Sequence, residues 1–314
     1  APIEAVAAPV NPLERPQARR AFELWRAALT LEDRSGLWRG ERAGYERFML
    51  EHCAAPADLG VEPVRDGEVA GLLVTPAEAD PASPVVLHLH GGGFVFGSAA
   101  TSVALTGRLA REVGGRGLTI DYRLAPEHAF PAALEDALAA YRWLRERYPD
   151  APILVSGECA GGGLAISLAV SLRAAGEPGP SGIHVVSPFC DLTITSPSSL
   201  ASPATDPWLN RNALFGLAGS YIDDADPANP LISPVHADLS DLPPLYIAAA
   251  AGEALRDDAT RLAAAARDAG TPVTFDLVED TIHSFVVFDF LPESRAAIAH
   301  AAELLDCGSL ASAP

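Results

Sequence analysis

SGECAGGG, residues 156–163, sits between PILVSG, a short apolar run that reads as a strand, and a small-residue run ending in SLRAAG that reads as a helix. Gly157 and Gly161 stand two residues to either side of Cys159. A strand, a sharp turn with one reactive side chain at its apex, and a helix make a nucleophile elbow. Small neighbours let the crowded chains pass one another there. The same letters also describe a tight strand-to-helix turn around a buried thiol, and the flanking sequence has to separate the two.

Working outward, strands and helices alternate. VEPVRDGEVAGLLVTP reads as a hairpin turning at Asp66-Gly67. PVVLHLH, RGLTIDYRL, PILVSG, GIHVVSPF, PPLYIAAAAG and PVTFDLVE read as strands. AALEDALAAYRWLRERY, DDATRLAAAARDAG and PESRAAIAHAAELL read as helices, the second stopped by Gly270. Such alternation after a hairpin predicts an α/β fold with a doubly wound, mostly parallel sheet. Ligands in such sheets sit at the carboxyl ends of the strands. Phe22, Trp25 and Leu29 recur at helical spacing, so residues 1–55 read as a helical region, either packed on the core or covering a pocket. Residues 56–314 form the main domain, and the Pro- and Ser-rich stretch at 200–222 reads as an insertion above the sheet.

HLHGGGF, residues 88–94, follows an early strand. It lacks both G-x-G-x-x-G and a GK[ST] ending, which argues against a phosphate loop. Its glycines suit an oxyanion hole built from the amides of Gly91 and Gly92 with that of Ala160, the residue after the elbow apex. Of the eight histidines, His283 in VEDTIHSF lies in a loop at the carboxyl end of a strand, where a catalytic base belongs. Glu253 is the first carboxylate past the preceding strand and is best placed to orient that imidazole. Asp257 and Asp258 read as acids at a helix N-terminus. The order nucleophile, acid, histidine is then 159, 253, 283, as in α/β-hydrolases.

With those motifs in hand, the chain resembles the hormone-sensitive-lipase-like family of α/β-hydrolases, the bacterial family IV carboxylesterases. The resemblance runs from about residue 61 to 305. It rests on HGGGF, DYRLAPEHAFPAALEDALAAYRWL, GECAGGG, SPFCDLT, NPLISPVHADLSDLPPLYI, GEALRDDATRLA and HSF, in that order. It implies an α/β-hydrolase fold with an N-terminal helical cap, His283 as base, Glu253 as its acid, and Gly91, Gly92 and Ala160 as oxyanion donors. The family usually reads Gly-Asp-Ser-Ala-Gly-Gly at the elbow. Here Glu158 takes the place of the aspartate and Cys159 that of the serine.

A cysteine at the apex can be ionised before attack, and its acyl-enzyme is a thioester, open to amines, thiols and carbon nucleophiles as well as water. The first expectation is therefore a Cys159–His283–Glu253 enzyme acting on small acyl esters or thioesters, by hydrolysis, acyl transfer or cyclisation. The alternatives are a lyase or cyclase on the same fold, an ordinary carboxylesterase whose serine has been replaced by cysteine, and, last because His283 is retained, a binding protein.

Composition fits that reading. Net charge is −19, from 22 basic and 41 acidic residues, which argues against nucleic acid or an anionic membrane as partner. No apolar run approaches the ~18 residues of a membrane span. APIEAVAAPVNPLERP has no basic region followed by an apolar core, so no secretory signal is expected. The four cysteines include no C-x-x-C pair, so neither a metal nor a dithiol site is expected, and a reducing, cytoplasmic setting fits. The expected partner is a small-molecule acyl substrate, with no cofactor. A homo-oligomer is compatible with the sequence, which does not set an oligomeric state.

Overall fold

The structure, a computed structural model, describes residues 13–29, 39–80, 83–201 and 206–311. Eight strands form one sheet in the order β1-β2-β4-β3-β5-β6-β7-β8. They are β1 Leu59–Asp66, β2 Val69–Pro76, β3 Val85–Leu89, β4 Arg116–Ile120, β5 Ile153–Glu158, β6 Gly182–Val186, β7 Leu245–Ala250 and β8 Val273–Val278. The first two form the hairpin, paired so that Asp66 faces Val69 across Gly67 and Glu68. β2 runs antiparallel to β4, and every later pairing is parallel. Every residue of β3, β5, β6 and β7 is buried, as expected of parallel strands covered by helices on both faces.

The helices are α1 Pro16–Leu29, α2 Arg39–His52, α3 Ala99–Glu112, α4 Ala132–Arg147, α5 Ala160–Ala174, α6 Pro197–Ala201, α7 Arg211–Ile222, α8 Arg256–Asp268 and α9 Pro292–Ala311. α3 packs against α9 on one side of the sheet, and α4 packs against α5 on the other. α3 has no counterpart in the sequence reading. Its start is closed by Ser98 and Thr101 in a capping box, and Thr101, Ser102 and Thr106 are buried along with its apolar residues. β4 also stops at Ile120, short of the Arg123 expected from its apolar run.

The N-terminal helices are pinned to the main body by aromatic rings. Trp25 of α1 is buried and stacks on Phe48 of α2 at 4.9 Å and on Trp208 at 5.4 Å. Arg15, just before α1, binds Asp280 through Nε at 2.7 Å and also pairs with Glu293. Of the expected helical region and insertion, residues 1–12, 30–38 and 202–205 lie outside the described residues. The rest of the insertion lies on the glycine triplet. Tyr221 of α7 stacks on Phe94 at 3.7 Å, and the Leu217 side chain fills the space a Cβ on Gly93 would need. Among the described residues, no helix is long and apolar enough to cross a membrane.

Candidate active site

β5 delivers Cys159 to the carboxyl end of the sheet, and α5 begins at the next residue. Cys159 has φ 53° and ψ −121°, a conformation that side-chain-bearing residues avoid at a cost of about 1–3 kcal/mol. The surroundings hold it there. Its N–H donates to Val186 O at 3.1 Å, and its carbonyl accepts from Phe189 N at 2.8 Å and Gly162 N at 3.0 Å. The flanking glycines are steric necessities. A Cβ on Gly157 would lie 2.2 Å from Gly161 O, and one on Gly161 would lie 1.9 Å from Leu89 O. The strand-to-helix turn is therefore as sharp as the Gly-x-Cys-x-Gly pattern requires.

The structure brings Cys159, His283 and Glu253 together from three loops at the same end of the sheet, all three buried. Nδ1 of His283 lies 3.5 Å from Oε2 of Glu253, its Nε2 lies 3.1 Å from Ser284 Oγ, and Cys159 stands near enough to act on the imidazole. Burial alone would lower the His283 pKa. The Cys159 sulfur and the Glu253 carboxylate outweigh it, and the imidazolium is held well above the usual histidine range. Asp257 turns away, to Ser198 N and Arg256. Asp258 is a buried structural carboxylate that accepts from Ser196 Oγ and Asp191 N.

Three further side chains belong to this centre. Ser187 follows β6 with φ 52°. Its Oγ donates to Glu253 Oε2 at 2.7 Å and accepts from Ser284 N at 3.0 Å, so one hydroxyl ties the acid to the residue after the histidine. Asp206 lies in the insertion and accepts from Ala254 N at 2.9 Å, Leu209 N at 2.8 Å and Trp208 N at 3.1 Å. Burial pushes its carboxyl up, and the His283 imidazole draws it part of the way back. Asp206 thereby holds Trp208, whose ring lies 6.2 Å from His283 and 5.8 Å from Tyr45. The wall beside the histidine is aromatic. None of the three carries a sequence signal of its own: Ser187 lies in an SP dipeptide after a strand, and the other two lie in a stretch without periodicity.

The glycine loop corrects one expectation. The Gly91 amide donates to Oε1 of Glu158 at 2.6 Å, so it is not free to bind a substrate oxygen. The next two glycines have φ 108° and 63°, and neither of their amides has an acceptor among the described residues. The Ala160 amide, at the first position of α5, needs no partner within the helix. The free donors are thus Gly92, Gly93 and Ala160. The reason is the length of Glu158, which reaches from β5 across to the loop.

The other described thiols stand elsewhere. Burial pushes the Cys53 thiol up to about 12. Cys190 is buried, its thiol raised by burial, and it lies 3.6 Å from Asp258 O. That contact gives Cys190 a packing role beneath α8.

A mostly parallel sheet with a strained elbow at β5 and an acid and a histidine on the loops after β7 and β8 is the arrangement of α/β-hydrolases. The chain belongs to that family: residues 86–287 match the alpha/beta hydrolase fold family model. It is 38% identical over 275 residues to an acetyl-hydrolase of Streptomyces hygroscopicus, covering 86% of this chain and 90% of that protein. It is 34% identical over 246 residues to an esterase of Acinetobacter venetianus, covering 77% of this chain and 80% of that one. The crystal structure of an esterase from the bacterial hormone-sensitive lipase family superposes with a TM-score of 0.88 at 34% identity, covering 93% of this chain and 98% of that one.

Proposed function

We propose that this chain is a carboxylic ester hydrolase that handles small acyl groups through a thioacyl-enzyme on Cys159. The observation that carries the reading is the gathering of Cys159, His283 and Glu253, all buried, at a strained elbow, where both partners favour the imidazolium. Its relatives, an acetyl-hydrolase and an esterase, support a small acyl ester as substrate.

The steps follow from the geometry. The Cys159 sulfur attacks the ester carbonyl carbon, a C–S bond forms, and the carbonyl oxygen becomes an oxyanion facing the amides of Gly92, Gly93 and Ala160. His283 gives its proton to the departing alcohol oxygen as the C–O bond breaks, leaving a thioester. Water then attacks the thioester while His283 takes its proton. The C–S bond breaks, the carboxylic acid leaves, and the thiolate–imidazolium pair is restored. Glu253 fixes the ring and offsets its charge, and Ser187 fixes Glu253. A free thiol at the apex fits a reducing, cytoplasmic setting.

The aromatic wall of Trp208, Tyr45 and Trp25 favours a second outcome of the same intermediate. A thioester beside apolar rings reacts readily with an amine or thiol that those rings can hold, so acyl transfer competes with hydrolysis.

Release of nitrophenolate from p-nitrophenyl acetate tests the reading. The wild-type chain is expected to turn over, and Cys159→Ala to lose about 1000-fold or more in kcat. Full activity in Cys159→Ala would overturn it. Cys159→Ser distinguishes the two outcomes: a hydrolase keeps or gains ester hydrolysis, whereas a transferase loses transfer to an added thiol.

A further inference from the structure

One carboxylate in the elbow has no part in the chemistry above. Glu158 ends β5 and is buried, and among the described residues no Lys or Arg pairs with it. Its Oε1 accepts the Gly91 amide at 2.6 Å. Among the described residues its Oε2 has no partner satisfying hydrogen-bond geometry, but it lies 3.1 Å from Nε2 of His88. His88 sits on β3 beside Ser156 of β5, and Ser156 is already committed to His184 at 3.3 Å. His184 in turn lies 2.8 Å from Ala297 O. On its other side His88 pairs with Thr119 of β4, and its Nε2 is directed at Glu158.

From this juxtaposition we infer that Glu158 and His88 form a buried positioning pair for the oxyanion loop. The inference rests on the thioacyl reading of the site. By taking the Gly91 amide, Glu158 turns the glycine triplet so that the next two amides face the substrate oxygen. His88 braces Glu158 from the sheet. Glu158 and the elbow pack directly on the loop: a Cβ on Gly91 would lie 2.9 Å from Glu158 Oε1 and 3.1 Å from Cys159 Cβ. The loop is also held from the other side, where Tyr122 OH donates to His90 O at 2.7 Å. Release of Glu158 takes away the anchor on the Gly91 amide, so the donors drift about the His90 anchor while Cys159 and His283 keep their places. The pair touches no substrate atom. Its effect belongs to the tetrahedral stage, when charge reaches the oxygen, and not to initial binding.

The test uses the full chain and the variants Glu158→Ala, Glu158→Gln and His88→Asn, with four measurements. The first is kcat and KM on p-nitrophenyl acetate. The second is affinity for a trifluoromethyl ketone, which adds to the thiol as a tetrahedral oxyanion. The third is alkylation of Cys159 by iodoacetamide, which needs the thiolate but no oxyanion hole. The fourth is the Gly91 amide proton shift in protein labelled with 15N-glycine. Glu158→Ala is expected to lower kcat and ketone affinity together by about 100-fold, as a displacement of roughly 1 Å at a reacting centre does, with KM and alkylation little changed. His88→Asn should show the same pattern at smaller size. Glu158→Gln keeps an oxygen for the Gly91 amide and should recover most of the loss. The Gly91 proton should lie downfield in wild type and move upfield in Glu158→Ala. Equal loss of alkylation and turnover, a rise confined to KM, or an unmoved Gly91 proton would overturn the inference. The amide shift needs no turnover. If the wild-type chain forms no acyl adduct yet Gly91 responds as expected, the thioacyl reading fails and the Glu158 contact stands.

Discussion

His283 carries the proton on which the proposed chemistry turns. Cys159 and Glu253 hold its imidazolium well above the ordinary histidine value of about 6.5. Loss of that proton ends the active pair, so the falling limb of kcat/KM should lie clearly above pH 6.5. Replacing Glu253 by Gln removes one of the two partners that favour the proton, and the limb should move to lower pH while kcat falls. A limb that stays in place in Glu253→Gln, and moves instead in Asp257→Asn, would transfer the orienting role to Asp257. Ser187→Ala removes a hydrogen bond to a charged group, worth about 1.5–3 kcal/mol, and should cost roughly 10- to 100-fold in kcat. Unchanged kcat in Ser187→Ala would show that Glu253 holds its place without the hydroxyl.

The elbow is a joint between β3, β5 and α5, and its glycines set how closely they meet. Gly161→Ala puts a methyl group 1.9 Å from Leu89 O, a contact no rotamer can relieve, so α5 must move off β3. Thermal unfolding should show a large loss of stability or no folded protein. Gly219→Ala, on the exposed face of α7 with open space around it, should raise stability by about 0.5–1 kcal/mol. Comparable melting temperatures for the two variants would contradict the packing described here. This joint was legible in the sequence because glycine spacing, strand and helix all point to one turn. The loops carrying Glu253 and His283 were legible because each follows a clear strand. α3 was not, because buried Thr101, Ser102 and Thr106 blur its apolar stripe and its capping box uses Thr in place of the usual Glu or Gln. The commitment of Gly91 was not legible either, since it depends on how far Glu158 reaches from another strand. Ser187 is a tertiary hub that no local pattern announces.

The molecule as a whole carries net charge −19, and Asp258 is one of several acids buried where ionisation is costly. Burial raises the Asp258 carboxyl to about 7. In the unfolded chain the same group titrates near ~3.9, so between those values the folded state keeps a proton that the unfolded state has released. Its contribution to stability is therefore present at low pH and is lost as pH rises through about 7. Melting temperature should fall more steeply from pH 5.5 to 8 in the wild-type chain than in Asp258→Asn, which cannot ionise there. Equal slopes would show that Asp258 is already charged across that range.

All of this chemistry rests on a covalent bond to one sulfur atom. Intact-mass measurement of the protein quenched in acid during turnover of p-nitrophenyl acetate, followed by peptide mapping, reads that bond directly. The expected result is a gain of one acetyl group, mapped to the peptide carrying Cys159, absent in Cys159→Ala and accumulating when water is limiting. Turnover with no acetyl group on Cys159, or with the acetyl group on another residue, would contradict a thioacyl-enzyme.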